Sequence, residues 1–217
     1  MSMTTSMSSV HLIVTCTRRK TLPAGETVFP DEHDAGKAYG TWLERLTKAG
    51  SASHPVTAGG LYTGQHWNRA AAAAARAGAE LWIISAGLGF LHASDRVVPY
   101  DATFASMPCC HCTVWERLTT RPPTVRRSPS LTALMRDRPH DRFIVAPSPA
   151  YLQAVEDDLY AGREALASPA QLTIVSSKGY RGRLHESLTL TSAAMMKTLN
   201  TNMTGLNISQ AVTLLAP

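Results

Sequence analysis

The chain has 217 residues, enough for one domain with a sizeable core. Hydrophobic residues make up 44% and charged residues 17%, a globular balance, and the formal net charge of +5 admits an anionic partner such as nucleic acid without requiring one. No stretch is apolar and long enough to cross a membrane, which argues against a membrane partner.

Residues 1–9 are rich in Ser, Thr and Met, lack the positive start of a signal peptide and read as a frayed tail, leaving 10–217 as a single α/β domain. "HLIVTCT" at 11–17 is a short β-branched run and reads as a buried strand. Residues 34–49 carry Ala38, Tyr39, Trp42, Leu43 and Leu46 at helical spacing, and Gly50 ends the helix. Residues 54–64 read as a loop. Gln65 to Ala77 is alanine-rich and helical, closed by Gly78. "ELWIISAG" at 80–87 is a second strand, followed by a long loop over 88–110. A short helix is expected over Cys112 to Leu118, a mobile Pro/Ser/Arg-rich segment over 119–130 and a helix over Leu131 to Arg138. A third strand lies within 141–151, a helix over Pro149 to Ala165, a fourth strand within 170–182 and a last helix over Leu184 to Leu199. The C-terminal stretch carries no decisive pattern.

Strands alternating with helices in this way predict a three-layer α/β/α sandwich around a four-stranded, mostly parallel sheet. Ligands in such folds bind beyond the carboxyl ends of the strands. Here those ends are Cys16-Thr17-Arg18-Arg19-Lys20, Ser85-Ala86-Gly87-Leu88-Gly89, Ala146-Pro147-Ser148-Pro149 and the Lys178 to Arg183 stretch "KGYRGR". All four are polar or glycine-rich, which points to one site along this edge.

The residue types suggest roles at that edge. Arg18, Arg19 and Lys20, with Lys178, Arg181 and Arg183, suit phosphate contacts, and Arg126 and Arg127 could add a flexible one. As an isolated run, the first three suit a solvated surface slightly better, and Arg126 and Arg127 read first as mobile surface charge. Tyr62 of "LYTG" either stacks on a base or packs beneath the helix that follows. Tyr100 and Phe104 of "PYDATF" extend the possible stacking surface. Cys16, Thr17, Ser85 and Thr103 offer polar contacts, and Gly87 would let backbone approach a substrate closely. "SAGLG" matches neither a dinucleotide fingerprint nor a phosphate-binding P-loop. Asp101 either caps a turn or serves as a carboxylate that stabilises a cationic transition state. The four cysteines form no Cys-x-x-Cys pair, and Cys109-Cys110-His111-Cys112 is too crowded to chelate well. A reduced, cytoplasmic protein without metal or organic cofactor is expected.

The blocks "VTCTRRK", "LYTG", "WIISAGLGFL", "PYDATF" and "GYRGRL" resemble, in order across residues 10–190, a family of small proteins. That family's motifs are a strand ending in Cys-x-x-x-Lys, then Leu-Tyr-Thr-Gly, Leu-Ser-Ala-x-x-Gly-Leu and Pro-Tyr-Asp-x-Thr. It is in turn similar to the uracil-DNA-glycosylase-like domain of archaeosine-type tRNA guanine transglycosylases. The resemblance implies a glycosylase-like fold and cleavage of an N-glycosidic bond, first of all in DNA carrying modified bases, as in phage defence. A nucleoside or nucleotide hydrolase, a base-exchanging transglycosylase and a non-enzymatic nucleic-acid sensor are the alternatives. Two departures matter. Uracil-DNA glycosylases carry Gly-Gln-Asp-Pro-Tyr after the first strand, where this chain has Cys16-Thr17-Arg18-Arg19. Their His-Pro-Ser-Pro motif is matched only by "APSP" at 146–149, after the third strand. Asp101 is therefore the expected acid.

Overall fold

A computed structural model describes residues 8–52 and 54–215. Most of the expected N-terminal tail, residues 1–7, lies outside them. The described chain is an α/β structure whose central sheet has six strands rather than four. In chain order the elements are β1 (Val10–Thr15), α1 (Ala35–Ala52), β2 (Val56–Thr57), α2 (Ala58–Leu61), α3 (Gln65–Ala77), β3 (Glu80–Ser85), β4 (Gly89–His92) and β5 (Arg96–Val97). They continue with α4 (His111–Thr120), α5 (Leu131–Asp137), β6 (Arg142–Ala146), α6 (Pro149–Ala154), α7 (Glu156–Glu164), β7 (Leu172–Ser177), β8 (Leu188–Thr191) and α8 (Leu206–Thr213).

The sheet order is β4-β3-β1-β6-β7-β8, with every neighbouring pair parallel except β3 with β4. Strands β2 and β5 form a separate small antiparallel pair. Consecutive residues His11, Leu12, Ile13 and Val14 are all buried. Because neighbouring side chains on a strand point to opposite faces, both faces of the sheet must be covered. Helices supply that cover. α3 and α8 pack together on one set of strands, and α4 links α1 with α6. The five parallel strands have the doubly wound order 2-1-3-4-5 in their own sequence order. The chain reverses its winding between β1 and β6, and the crevice beyond that point is the natural ligand site.

Four expectations about elements are corrected, the first being the loop over 54–64, which holds β2 and α2. Residues 88–110 do not form one long loop. Gly89 turns back at φ +81° and starts β4, which pairs antiparallel with β3 from Ser85↔Gly89 to Trp82↔His92. The helix expected over 184–199 gives way to a 3₁₀ turn and then β8, because Leu188-Thr189-Leu190-Thr191 alternates with period two. The helix expected over 149–165 is broken at Val155 into α6 and α7.

One buried polar chain crosses the sheet. Trp82 Nε1 donates to His11 Nδ1 (3.1 Å), and His11 Nε2 lies 2.9 Å from Asp141 Oδ2. A tryptophan N–H only donates, so Nδ1 must carry a lone pair. His11 is therefore neutral and donates through Nε2. Burial lowers its pKa below the ordinary 6.5, outweighing the pull of Asp141. As pH falls through 6.5, the unfolded chain takes up a proton at this position that the folded chain refuses. His66 and His92 are lowered in the same direction, chiefly by burial. Stability is expected to be full above pH 6.5 and to decline from there toward pH 5.5. Urea midpoints at pH 7.5 and 5.5 check this, and equal midpoints would contradict the neutral assignment.

Candidate functional site at the strand switch

The first strand end is laced to its neighbours by backbone. Cys16 N–H donates to the Ile84 carbonyl (2.9 Å), extending the β1 ladder one residue. Thr17 Oγ1 then shares its one proton between the carbonyls of Arg19 (2.8 Å) and Thr63 (3.1 Å). Thr63 N–H returns a bond to the Arg19 carbonyl, and Lys20 forms an antiparallel bridge with Tyr62. This tight crossing throws Arg18 and Arg19 out into solvent and keeps Lys20 half-buried. Thr17's hydroxyl builds the loop, so it is not free to bind a substrate as expected.

"PYDATF" reads as extended backbone with an in-out rhythm. Asp101 N–H donates to the Thr27 carbonyl, and its own carbonyl accepts from Phe29 N–H, both at 2.8 Å. Tyr100, Ala102 and Phe104 point inward, whereas Asp101 is exposed and Thr103 half-buried. Among the described residues, the Asp101 side chain caps nothing and pairs with no cation, while its backbone is fixed by two rungs. Thr103 instead makes a local turn, its Oγ1 accepting from Ala105 N–H (3.3 Å).

The expected stacking surface is overturned. Tyr62, Tyr100 and Phe104 are 2%, 0% and 0% exposed. Tyr62 and Tyr100 hydroxyls lie 2.7 Å apart, and the Tyr100 hydroxyl lies 2.6 Å from Ser85 Oγ. Ser85 Oγ also accepts from Leu88 N–H (2.9 Å), pinning the β3–β4 turn. Burial pushes both phenols far above their ordinary range. Ser85 is thus a buried strut rather than a substrate donor. Gly87 has a packing role too: a Cβ there would sit 2.8 Å from the Tyr100 ring and from Ala102, and its carbonyl takes the Trp42 Nε1–H bond (2.6 Å). Replacing Gly87 with Ala is expected to lower the melting temperature by several degrees, since rigid buried atoms must shift. An unchanged melting curve would show that the turn yields freely.

At the winding switch, half-buried Cys16 faces Tyr151 of α6, with Sγ 3.4 Å from the hydroxyl. Tyr151 drew no attention in the sequence, because nothing local marks a helix tyrosine as reaching across to another strand's end. Leu22 was also missed. It is 40% exposed and lines, with Arg18, Lys20, Tyr100 and Asp101, a depression of about 420 Å³. That volume suits a small organic group. Lys20 Nζ lies 4.6 Å from the Tyr100 ring centroid and 3.4 Å from the Thr17 carbonyl. Burial lowers its pKa, against the pull of Cys16 and Asp101. A larger depression of about 600 Å³ lies beyond Pro23 and Ala24. Its cations are engaged, Arg45 with the Val28 carbonyl (2.6 Å) and Lys48 with Glu26 (3.0 Å), so it offers little chemistry.

The other cations divide. Lys178 and Arg181 are exposed at the end of β7. Arg183 is not available: it pairs with Glu156 (3.4 Å) and Asp157 and stacks on the Tyr160 ring at 4.3 Å. Tyr180 holds the same loop down by donating to Glu156 (2.7 Å), and its phenol is raised to about 12, chiefly by burial. Arg126 and Arg127 are not flexible contacts. Arg126 donates to the Phe90 carbonyl (3.1 Å), and burial brings its pKa down to about 10. Arg127 pairs with Glu80 (3.2 Å). Together they clamp the segment after α4 onto β4 and the start of β3.

"APSP" starts α6. Ser148 Oγ caps it by accepting from Tyr151 N–H (3.4 Å), and Pro149 occupies its first turn. Cys109 is buried, whereas Cys110 and Cys112 are exposed. Among the described residues, no three His, Cys, Asp or Glu side chains converge as a metal site, and no helix is long and apolar enough to cross a membrane.

A family model described as a family of unknown function (DUF6884) matches residues 47–169. The match takes in Tyr62, Ser85, Tyr100, Asp101 and Tyr151, begins after the Arg18–Lys20 turn and ends before Lys178. No curated protein and no solved structure matches the chain.

Proposed function

We propose, from the premise that the chain belongs to the family of unknown function DUF6884, that it is an N-glycosidic bond hydrolase of the DNA-glycosylase type. Its substrate on this reading is a modified base in phage DNA, and its setting is the cytoplasm, where its free thiols stay reduced. The likeness to uracil-DNA-glycosylase-like domains belongs to the same proposal. The observation that carries it is Asp101: an exposed carboxylate whose side chain makes no bond among the described residues, held on two backbone rungs, at the rim of a cation-lined depression beside the winding switch.

The chemistry follows from where charge develops. Breaking the bond between sugar C1′ and a base nitrogen puts positive charge on the sugar and negative charge on the departing base. Asp101 stabilises the first and orients the attacking water. Lys20, which lines the same depression, would supply the cation that the departing base needs. The base must be drawn out of the duplex at a cost of a few kcal/mol. Leu22, not the buried tyrosines, supplies apolar surface for it. Arg18 and Arg19 flank β1, and Lys178 and Arg181 follow β7, two strand spacings or about 10 Å away. At about 3.4 Å per nucleotide along one strand, that span suits a short run of DNA backbone.

Burial of Tyr62, Tyr100 and Phe104 removes the stacking platform a flipped base would use and favours a second reading, hydrolysis of a free nucleoside or nucleotide. Salt dependence separates the two. On DNA, log K should fall steeply with log salt, and Arg18→Ala or Arg181→Ala should each reduce that slope by about 1. Arg183→Ala should leave the slope unchanged. A panel of unmodified and modified phage DNAs, assayed for released base, tests the activity. Salt-dependent binding without release from any member would leave a nucleic-acid sensor. Release from nucleotides but from no DNA would leave the second reading.

A further inference from the structure

Lys20 is placed for more than charge. Its backbone is fixed by the bridge to Tyr62, and its neighbour in the depression, Asp101, is fixed by its own two rungs. Its amine lies on the Tyr100 ring face with the Thr17 carbonyl as its hydrogen-bond partner, and among the described residues no carboxylate lies within ion-pair distance of it. Arg18, Arg19, Lys178 and Arg181 sit in solvent, as phosphate contacts do. Lys20 is the cation at this edge that is half out of water. Partial desolvation is one way proteins turn a lysine into a nucleophile toward carbonyl carbon.

We infer that Lys20 acts on the abasic sugar left by base release, its amine forming an imine at C1′ while Asp101 serves as the base that opens the strand. The inference rests on the reading of the site as a DNA glycosylase. After the base leaves, the sugar C1′ carries a hydroxyl and opens to an aldehyde. The Lys20 amine, once it has given up its proton, attacks that carbon, and the carbinolamine loses water to give a C=N bond. The imine acidifies the C2′ proton, which passes to the Asp101 carboxylate. The C–H electrons form the C1′–C2′ enamine, which expels the 3′ phosphate by breaking the C3′–O bond. Water then hydrolyses the imine and returns the amine. No oxidant, reductant or metal enters the balance. Asp101 would thus serve twice, first against positive charge on the sugar and then as proton acceptor.

The test uses the whole chain and a labelled duplex with a single preformed abasic site, with and without sodium cyanoborohydride. The expected result is a reduced protein–DNA adduct whose peptide map places the modification on Lys20. Without the reductant, the strand should be nicked on the 3′ side. Lys20→Arg keeps the charge over Tyr100 but cannot form this imine, so it should trap at least tenfold less adduct while melting normally. Lys48→Arg, on an exposed lysine paired with Glu26, should trap as much as the wild type. An adduct mapped to another amine, or no adduct although the duplex binds, overturns the inference, and the wild-type map decides even if Lys20→Arg folds poorly. Base release from modified DNA without any adduct would remove Lys20's role and leave the glycosylase reading standing. An adduct without base release from any DNA would uphold the amine chemistry and remove the glycosylase reading.

Discussion

Replacing Tyr62 with alanine is expected to cost about 3–5 kcal/mol of stability, the range for truncating a fully buried aromatic. The side chain packs on Trp67 at 5.2 Å between ring centroids, and its hydroxyl is one link in the buried Tyr62–Tyr100–Ser85 chain. Truncation opens a cavity and takes a partner from the Tyr100 hydroxyl. For a chain of this size each kcal/mol moves the melting temperature by about 2–4 °C, so a fall of roughly 6–20 °C is expected. Tyr62→Phe keeps the ring and leaves Tyr100 bonded to Ser85, so it should cost only about 1 kcal/mol. Thermal melts of the two variants check this. A normal melt for Tyr62→Ala with impaired substrate capture would put the ring back on the surface as a stacking residue.

Asp101→Asn should behave oppositely: normal melting, normal binding and a loss of base release of about a hundredfold or more. The side chain makes no structural bond among the described residues, so a near-isosteric change costs little stability. Its charge is what the reaction requires, and electrostatic stabilisation of this kind is typically worth about 2.7–4 kcal/mol, or a factor of about 10²–10³ in rate. Single-turnover base release, measured beside binding and melting, separates the terms. A near-normal rate would leave Asp101 as a surface residue on a well-made strand.

The long strands were legible because each is an unbroken apolar run. Leu12-Ile13-Val14, Leu81-Trp82-Ile83-Ile84, Phe143-Ile144-Val145 and Ile174-Val175 are buried on both faces, and that demands such runs. Strand β4 was hidden because four residues behind a tight glycine turn look like the loop they leave. Strand β8 was hidden because its threonines and leucines sit between a basic loop and an alanine-methionine stretch that mimics a helix. At the site, the alternation of Tyr100, Asp101, Ala102, Thr103 and Phe104 was present in the sequence. Read with period two, it places both aromatics inside and the acid outside. The fate of the arginines was not legible. Arg183 meets Glu156 and Asp157 only after α7 folds against the β7 loop, and Arg126 finds the Phe90 carbonyl only because β4 exists. Charge in a loop shows that a cation is present, and tertiary contacts decide whether it is free.

The most direct measurement is the mass of the product that the wild-type protein releases from modified phage DNA under single turnover. Cleavage at C1′ yields a free modified base and an abasic strand of otherwise unchanged length at the first step, and that product is predicted. Release of a nucleoside or nucleoside monophosphate, or binding that returns the DNA chemically intact, would contradict N-glycosidic hydrolysis at the Asp101 depression.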